Sequence, residues 1–384
     1  MSKERWRGRW YTEEVGILAQ SVRRIFEEQF APLEPRWRQQ GQVEREVWAL
    51  AGEQGLLCAG IPAEYGGLGG SFAHEAIIYY EQFRAGVSSF GNVVHSGIVA
   101  HYLAGYGTEE QKQRWLPRLA SGESVAALAM SEPGAGSDLR SLRTTAVRRG
   151  DTYVINGSKT FISNGQLADL LCVAVRHDNE KRSKSISLII VDTRESGGLR
   201  RGRKLDKIGM RGQDTSELFF EDVTVPAGNL LGGREGGGFA QMMAQLPRER
   251  LIVALIGLGT IDRALATTIP YVKERQMFGG HLLDLQNPRF VLADAWTEAT
   301  IARSFLDDCV DRLANDELDA ETASMAKLWV TEAQCRIVDQ CLQLHGGYGY
   351  MADTPIAQMY LDSRIQKIYG GANEVMREII ARAL

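Results

Sequence analysis

Tyr153-Val154-Ile155-Asn156-Gly157-Ser158-Lys159-Thr160-Phe161-Ile162 stands in the middle of a chain whose two ends carry helical patterns. β-Branched and aromatic residues flank an Asn-Gly pair, the dipeptide that supplies positive φ at both central positions of a type I′ turn. The stretch therefore reads as a β-hairpin. Its neighbours agree: residues 170–175 and 187–191 are short apolar runs rich in β-branched side chains, and 217–225 stops at Pro226. Residues 125–235 are expected to be all-β.

Helices are expected on both sides. Val15, Leu18, Ala19, Val22, Ile25 and Phe26 recur at helical spacing with charges between them. Residues 44–54 form a second helical stretch ended by Gly55, 64–70 a glycine-rich turn, and 72–84 and 97–106 are apolar enough to be buried helices. Thr108-Glu109-Glu110-Gln111 fits a capping box, which predicts a helix from Thr108 towards Leu116 with Pro117 just past its end. Beyond the glycine-rich segment 232–238 the pattern is helical almost to the end, and Thr354-Pro355 supplies an N-cap with proline at the first helical position. The chain thus divides into an all-α part at 1–124, a β part at 125–235 and a helical bundle at 236–384. This order is not the βαβ alternation of a dinucleotide-binding sheet. No glycine cluster joins a strand, a G-x-G-x-x-G and a helix.

Composition excludes further classes. The 384 residues carry 44 Lys+Arg against 48 Asp+Glu, a formal charge of −4 without the basic excess of a nucleic-acid binder. Cys58, Cys172, Cys309, Cys335 and Cys341 are odd in number and scattered, with no C-x-x-C, so neither a disulfide framework nor a zinc site is expected. The histidines lack metal-ligand spacing. The N-terminus has no apolar h-region, and no run of ~18 apolar residues occurs, so a cytoplasmic, bacterial-type chain without signal peptide or membrane span is expected.

Ala129-Met130-Ser131-Glu132-Pro133-Gly134-Ala135-Gly136-Ser137-Asp138 opens the β region. Its glycines and small residues let backbone N–H groups approach a ligand, and Ser131 and Ser137 add hydroxyls. A polar loop between two domains has the same composition. This loop is one of several motifs in which the chain resembles the acyl-CoA dehydrogenase family. The others begin with Gly107-Thr108-Glu109-Glu110-Gln111-Lys112-Gln113, followed by Trp115-Leu116-Pro117, and Asn156-Gly157-Ser158-Lys159-Thr160-Phe161-Ile162-Ser163-Asn164. Glu274-Arg275-Gln276-Met277-Phe278-Gly279, Gln343-Leu344-His345-Gly346-Gly347-Tyr348-Gly349-Tyr350 and Ile368-Tyr369-Gly370-Gly371-Ala372-Asn373-Glu374 complete them. They occur in family order across nearly the whole chain, and the long-chain branch looks nearest.

The resemblance implies an α+β fold, mainly α. It has an N-terminal helical domain, a β-barrel-like middle domain and a C-terminal four-helix bundle, assembled as a homotetramer (a dimer of dimers). It implies FAD and an acyl-CoA thioester in each active site. A carboxylate removes the α-proton, the β-hydrogen passes to the flavin as hydride, and trans-2-enoyl-CoA is the product. An electron-transferring flavoprotein is the implied acceptor. Many members carry the base just before a glycine in the C-terminal motif, and that position is Gly370 here. The long-chain and isovaleryl branches place it on an earlier helix, where Leu246-Pro247-Arg248-Glu249-Arg250-Leu251 offers Glu249. A surface Glu paired with a neighbouring Arg is the plainer reading of Glu249; its complementarity with Gly370 argues for the base.

By the same resemblance Ala129, Met130, Ser131 and Ser137 line the flavin edge, and Phe161, Ile162 and Ser163 flank the isoalloxazine. Arg275 and Gln286 match residues that reach the FAD of a neighbouring subunit, and Gln343, Leu344, His345, Gly346 and Gly347 match its adenine and pyrophosphate contact. Ala372, Asn373 and Glu374 complete the cofactor set, while Ser137, Arg250 and Gly371 match substrate-proximal positions. Pro247 stands where many members have Asp, and 232–238 with Phe239, Ala240 and Met243 is expected to border a medium- to long-chain or methyl-branched acyl group. Two other readings remain. One is a flavin-dependent oxidase or monooxygenase on the same fold, which Glu249 argues against. The other is an acyl-thioester-binding subunit without turnover, which would require a broken base or FAD motif.

Overall fold

The computed structural model describes residues 6–177 and 185–384. Six helices come first: α1 (Glu13–Ile25), α2 (Glu34–Gln40), α3 (Arg45–Glu53), α4 (Phe72–Arg84), α5 (Ala100–Tyr106) and α6 (Glu109–Ala120). Thr12 caps α1 by accepting from the Val15 N–H, and Val15, Ala19 and Val22 turn its apolar stripe inward. α4 has the predicted bounds and is buried almost all round, as its lack of a polar stripe implies. Winding before α5 begins at Val93 as a wide π segment, not at Gly97. The reciprocal Thr108–Gln111 cap of α6 forms as predicted. Pro117, however, lies inside α6, which continues to Ala120. Proline removes one backbone donor, but Trp115, Leu116 and Leu119 are buried around it and hold the next turn in place.

Among the described residues seven strands follow: β1 (Ala126–Ala129), β2 (Thr145–Arg149), β3 (Thr152–Ser163), β4 (Leu170–Arg176), β5 (Ile186–Asp192), β6 (Leu199–Lys204) and β7 (Thr215–Pro226). They form one curled sheet in the order β1-β4-β2-β3-β7-β6, with β5 also paired to β4. The central stretch quoted above is not a hairpin. It is the interior of β3, a single strand twelve residues long. Asn156-Gly157 makes a bulge, where pairing with β7 slips between Ile155 and Gly157. Gly157 presses so closely on Thr144 that a Cβ would lie 2.5 Å from its Oγ1. Asn156 Nδ2 donates to Asp222 Oδ1 (3.0 Å), and its Oδ1 accepts from the Asp222 N–H (2.9 Å). The turn that reverses the chain is Gly150-Asp151, between the paired Arg149 and Thr152.

The remaining helices are α7 (Gly238–Glu274), α8 (Gln286–Ala314), α9 (Ala320–His345), α10 (Pro355–Ser363) and α11 (Asn373–Ala381). A short ribbon of β8 (Gln276–Met277) and β9 (Gly280–His281) separates α7 from α8. By length and hydropathy α7 passes for a membrane span, which a count of uninterrupted apolar residues misses, but 78% of its most apolar stretch is buried inside the protein. It packs on α4 from the N-terminal layer and on α8 and α9 from the bundle. One hydrophobic core runs through all of these helices, so α7 is fixed from two sides. Pro355 opens α10 as predicted, but the Thr354 hydroxyl donates to the Met351 carbonyl (2.8 Å) instead of capping the helix. The five cysteines are free; four are buried and Cys335 is half-buried.

Candidate active site

Glu249 lies on α7 where that helix passes α5, and it is 7% exposed. The Tyr102 hydroxyl, from α5, donates to Glu249 Oε1 at 3.1 Å. Burial pushes the Glu249 carboxyl up to about 7, with the Tyr102 hydrogen bond and the neighbouring Arg250 charge pulling the other way. One turn further along α7 is Val253, on the same helix stripe. A Cβ built on Gly370 would touch Val253 Cγ2 at 3.4 Å and meet nothing else. Gly370 therefore faces the stripe that carries Glu249, and φ values of +66° and +91° at Gly370 and Gly371 favour glycine at both. The chain itself thus leaves the space beside Gly370 unfilled.

Arg250 is buried. Its Nη1 donates to Ser324 Oγ at 3.2 Å, and its Nε has no partner among the described residues. Behind it the fully buried Lys327 donates to the Gly371 carbonyl and to Asn373 Oδ1, both at 2.8 Å. Burial drives this ammonium down to about 8. Lys327 thus ties α9 to the glycine turn opposite Glu249.

The sheet edge approaches from the other side. β1 pairs with β4 so that Leu128 stands opposite Cys172, and the Glu249 charge is near enough to Cys172 to raise its thiol further beyond the effect of burial. Past β1 the chain is pinned: Lys159 Nζ donates to the Met130 carbonyl (3.0 Å) and to Glu132 Oε1 (2.8 Å), and the Thr160 N–H donates to the Ser131 carbonyl (2.9 Å). Glu132 also accepts from the Arg143 and Thr144 N–H groups at 2.7 and 3.0 Å. Ala129 is buried, Met130 and Ser131 are half-buried, and Ser137 is exposed. Phe161 has φ +60° and leaves its ring 69% exposed. Ile162 points into the sheet core and Ser163 is half-buried, so Phe161 alone of the three presents an open apolar side chain.

Of the other expected cofactor residues, Arg275, Gln286 and 343–347 gather at the far end of α7. Arg275 caps that end and is exposed, with its guanidinium 5.9 Å from the Tyr348 ring centroid. Gln286 opens α8 and is exposed, as is Gln343, while Leu344 is half-buried. His345 faces inward: its ring stacks on Tyr271 at 4.1 Å and its Nε2 lies 3.2 Å from Thr268 Oγ1. Asn373, at the near end, is likewise engaged with Lys327, Thr331 and Glu332. These two side chains brace helices and leave a ligand only backbone. Ala372 precedes α11 and is half-buried, and Glu374 is exposed in its first turn.

Family models match almost the whole chain: acyl-CoA dehydrogenase N-terminal domain at residues 12–123, middle domain at 127–223 and C-terminal domain at 236–384. The chain belongs to the acyl-CoA dehydrogenase family. The mitochondrial long-chain specific acyl-CoA dehydrogenase of Mus musculus is 43% identical over 378 residues, covering 98% of this chain and 87% of that one. The crystal structure of acyl-CoA dehydrogenase from Geobacillus kaustophilus aligns with a TM-score of 0.95 at 43% identity, covering 98% of this chain and 99% of that one. A glutaryl-CoA dehydrogenase from Mycobacterium smegmatis, in complex with FADH2, gives 0.91 at 26% identity, covering 98% and 95%.

The FAD of an acyl-CoA dehydrogenase fits the residues present. No atom lies within 4 Å of where a Cβ would stand on Gly134, Gly136, Gly346 or Gly347, so backbone at both ends is bare for close approach. The uncovered Phe161 ring offers an apolar plate beside Ser131. Sequence reading reached Glu249, but missed Tyr102, the Lys159–Glu132 pair and Lys327. A tyrosine within an apolar helix reads as core. A lysine at an inward-facing position of a strand or helix is the one signal that would have flagged the other two.

Proposed function

We propose that this FAD-dependent acyl-CoA dehydrogenase uses Glu249 as the general base that takes the α-proton of its fatty acyl-CoA. The supporting observation is a buried carboxyl pushed up to about 7, held by one hydroxyl and facing glycine. The α-proton of a thioester is weakly acidic, and a base works best when its pKa lies near the working pH. Tyr102 holds Oε1 and leaves Oε2 for the substrate. The C2–H bond breaks with its proton passing to Glu249, the C3–H bond breaks with its electron pair leaving as hydride, and the C2=C3 double bond forms. FAD supplies the acceptor for that hydride when bound at the sheet edge. Gly370 and Gly371 admit the thioester over the carboxylate, and Val253 helps to keep water from it.

The proposed substrate is a medium- to long-chain or methyl-branched acyl-CoA, and the long-chain name of the mouse relative supports the longer chains. The proposed working form is a cytoplasmic homotetramer, a dimer of dimers, that passes electrons to an electron-transferring flavoprotein. Its domains are 1–124, 125–235 and 236–384. Glu249 and Arg275 support assembly: they lie 26 residues apart along α7, or about 39 Å at the helical rise. One cofactor site cannot take both from one subunit. The bundle also exposes Phe290, Ile301, Trp329, Tyr360 and Ile368, apolar surface that suits an interface.

Anaerobic flavin bleaching tests the base. Glu249→Gln is expected to bind FAD and acyl-CoA but to bleach at least ~10²–10⁴-fold more slowly. It is also expected to stop deuterium washout from C2 of an acyl-CoA whose C3 is replaced by sulfur, which reports the proton step without hydride loss. In the unsubstituted enzyme the base must be ionised, so the rate should rise with pH through about 7 and then level. Rapid bleaching by Glu249→Gln would overturn the assignment.

A further inference from the structure

Beside the base lies a buried polar cluster that the proton transfer itself does not use. Arg248, one residue before Glu249, donates from Nη2 to Glu75 on α4, and the same nitrogen lies 2.7 Å from His101 Nε2 on α5. His101 Nε2 is in turn 2.8 Å from Glu75 Oε1, which also accepts from the Gly60 N–H at 3.1 Å. Depending on its tautomer, the imidazole accepts from Arg248 or donates to Glu75; either way the ring is tied to the ion pair. Phe72 of α4 lies under the guanidinium, 4.7 Å from ring centroid to Cζ. Burial brings His101 down to about 4, so it is neutral near pH 7. The cluster then holds one positive and one negative charge, and its net field at Glu249 is small.

Its placement gives it a consequence. His101 adjoins Tyr102 in the chain, and Arg248 adjoins Glu249. The cluster therefore joins α5 and α7 one residue away from the hydrogen bond on which the base depends, with Glu75 bridging both helices from α4. The next layer is as tight: a Cβ on Gly97 would lie 2.9 Å from Tyr79 Oη and 3.0 Å from Ile252 Cδ1. Close packing fixes the helix spacing there, and the cluster fixes it at the level of the base. The Tyr102–Glu249 contact is 3.1 Å long, so a slide of about half an ångström between the helices would take it past useful hydrogen-bond length.

We propose that Glu75, His101 and Arg248 are positioning residues for the base: they clamp α5 to α7 and so keep the Tyr102 hydroxyl on the Glu249 carboxylate. The inference rests on Glu249 being the base. The charged and titratable groups facing Glu249 are Tyr102 from α5, Cys172 from β4 and Arg250 on its own helix. Of these, Tyr102 is the one whose contact the clamp controls.

The test is the acid limb of the pH profile for anaerobic flavin bleaching by the FAD-loaded enzyme with dodecanoyl-CoA. Tyr102→Phe removes a donor to the ionised carboxylate and is expected to move the limb up by about one pH unit. Arg248→Gln should move it the same way, Arg248→Lys should largely restore it, and Arg248→Gln should add nothing in the Tyr102→Phe background. A cluster that only stabilised the fold would lower Tm and leave the limb in place. Should Arg248→Gln not fold, His101→Asn serves instead, with a smaller shift in the same sense that vanishes in the Tyr102→Phe background. An unmoved limb, or shifts that add in full to Tyr102→Phe, would overturn the proposal while Glu249→Gln remained inactive. Rapid bleaching by Glu249→Gln would remove both readings.

Discussion

Glu249 rises from its ordinary value of 4.5 to about 7 because folding takes it out of water. Between those two values the folded chain holds a proton that the unfolded chain has released. Stability therefore falls as pH rises through that window and levels above it. The gap corresponds to about 3 kcal/mol at most, the free energy of keeping this buried carboxylate ionised and ready. Glu249→Gln keeps the shape without the charge. Its melting temperature is expected to exceed that of the unsubstituted protein at pH 8 and to match it at pH 4. Equal melting temperatures at pH 8 would mean that the carboxylate is not desolvated in the folded enzyme. The proposed base is thus expected to weaken the fold, as a carboxylate ionised in a dry pocket would.

At the scale of elements, Gly157 decides whether β3 can exist as one strand. A methyl group there would stand 2.5 Å from Thr144 Oγ1 and 2.7 Å from its Cα, so either β3 or the chain entering β2 must move. Gly157→Ala is expected to destabilise by about 1–3 kcal/mol, read as a lower denaturation midpoint at unchanged m. Asn156-Gly157 is also where sequence and structure part. The pair demands permissive backbone, and a turn and a bulge make the same demand. Only the strand that lies alongside, sixty residues later in the chain, separates them. β6 hides for a similar reason: Leu-Arg-Arg-Gly-Arg-Lys has no apolar alternation because it lies at the sheet edge. Long helices were legible because their periodicity is local, and α4 has its predicted bounds. Glu249 could be singled out because, by the family resemblance, glycine at 370 points to a relocated carboxylate. Its support was not: Tyr102 is 147 residues away, and Lys327 reaches Gly371 across 44. Nothing local encodes such pairs.

At the scale of the molecule, the proposed cofactor residues fall into two groups. The 370–374 turn faces the helix stripe of Glu249, and Ala129, Met130 and Ser131, with Phe161 beside them, belong to the sheet edge whose Cys172 feels the Glu249 charge, while Arg275, Gln286 and 343–347 sit towards the other end of α7, about 39 Å along it. If each FAD takes the first group from one subunit and the second from its neighbour, two different defects should complement each other. Glu249→Gln lacks the proposed base, and Arg275→Glu would set a negative charge against the pyrophosphate. Each homo-oligomer should be nearly inactive at limiting FAD. In a mixed dimer one site combines both defects. The other combines an intact Glu249 with an intact Arg275. With equal, random association, half of the dimers are mixed and half of their sites are sound, so about a quarter of the activity should return. Co-expression of the two variants, followed by the bleaching rate per flavin site, measures this directly. If Arg275 served the site of its own subunit, every site in the mixture would carry one defect and no activity would return.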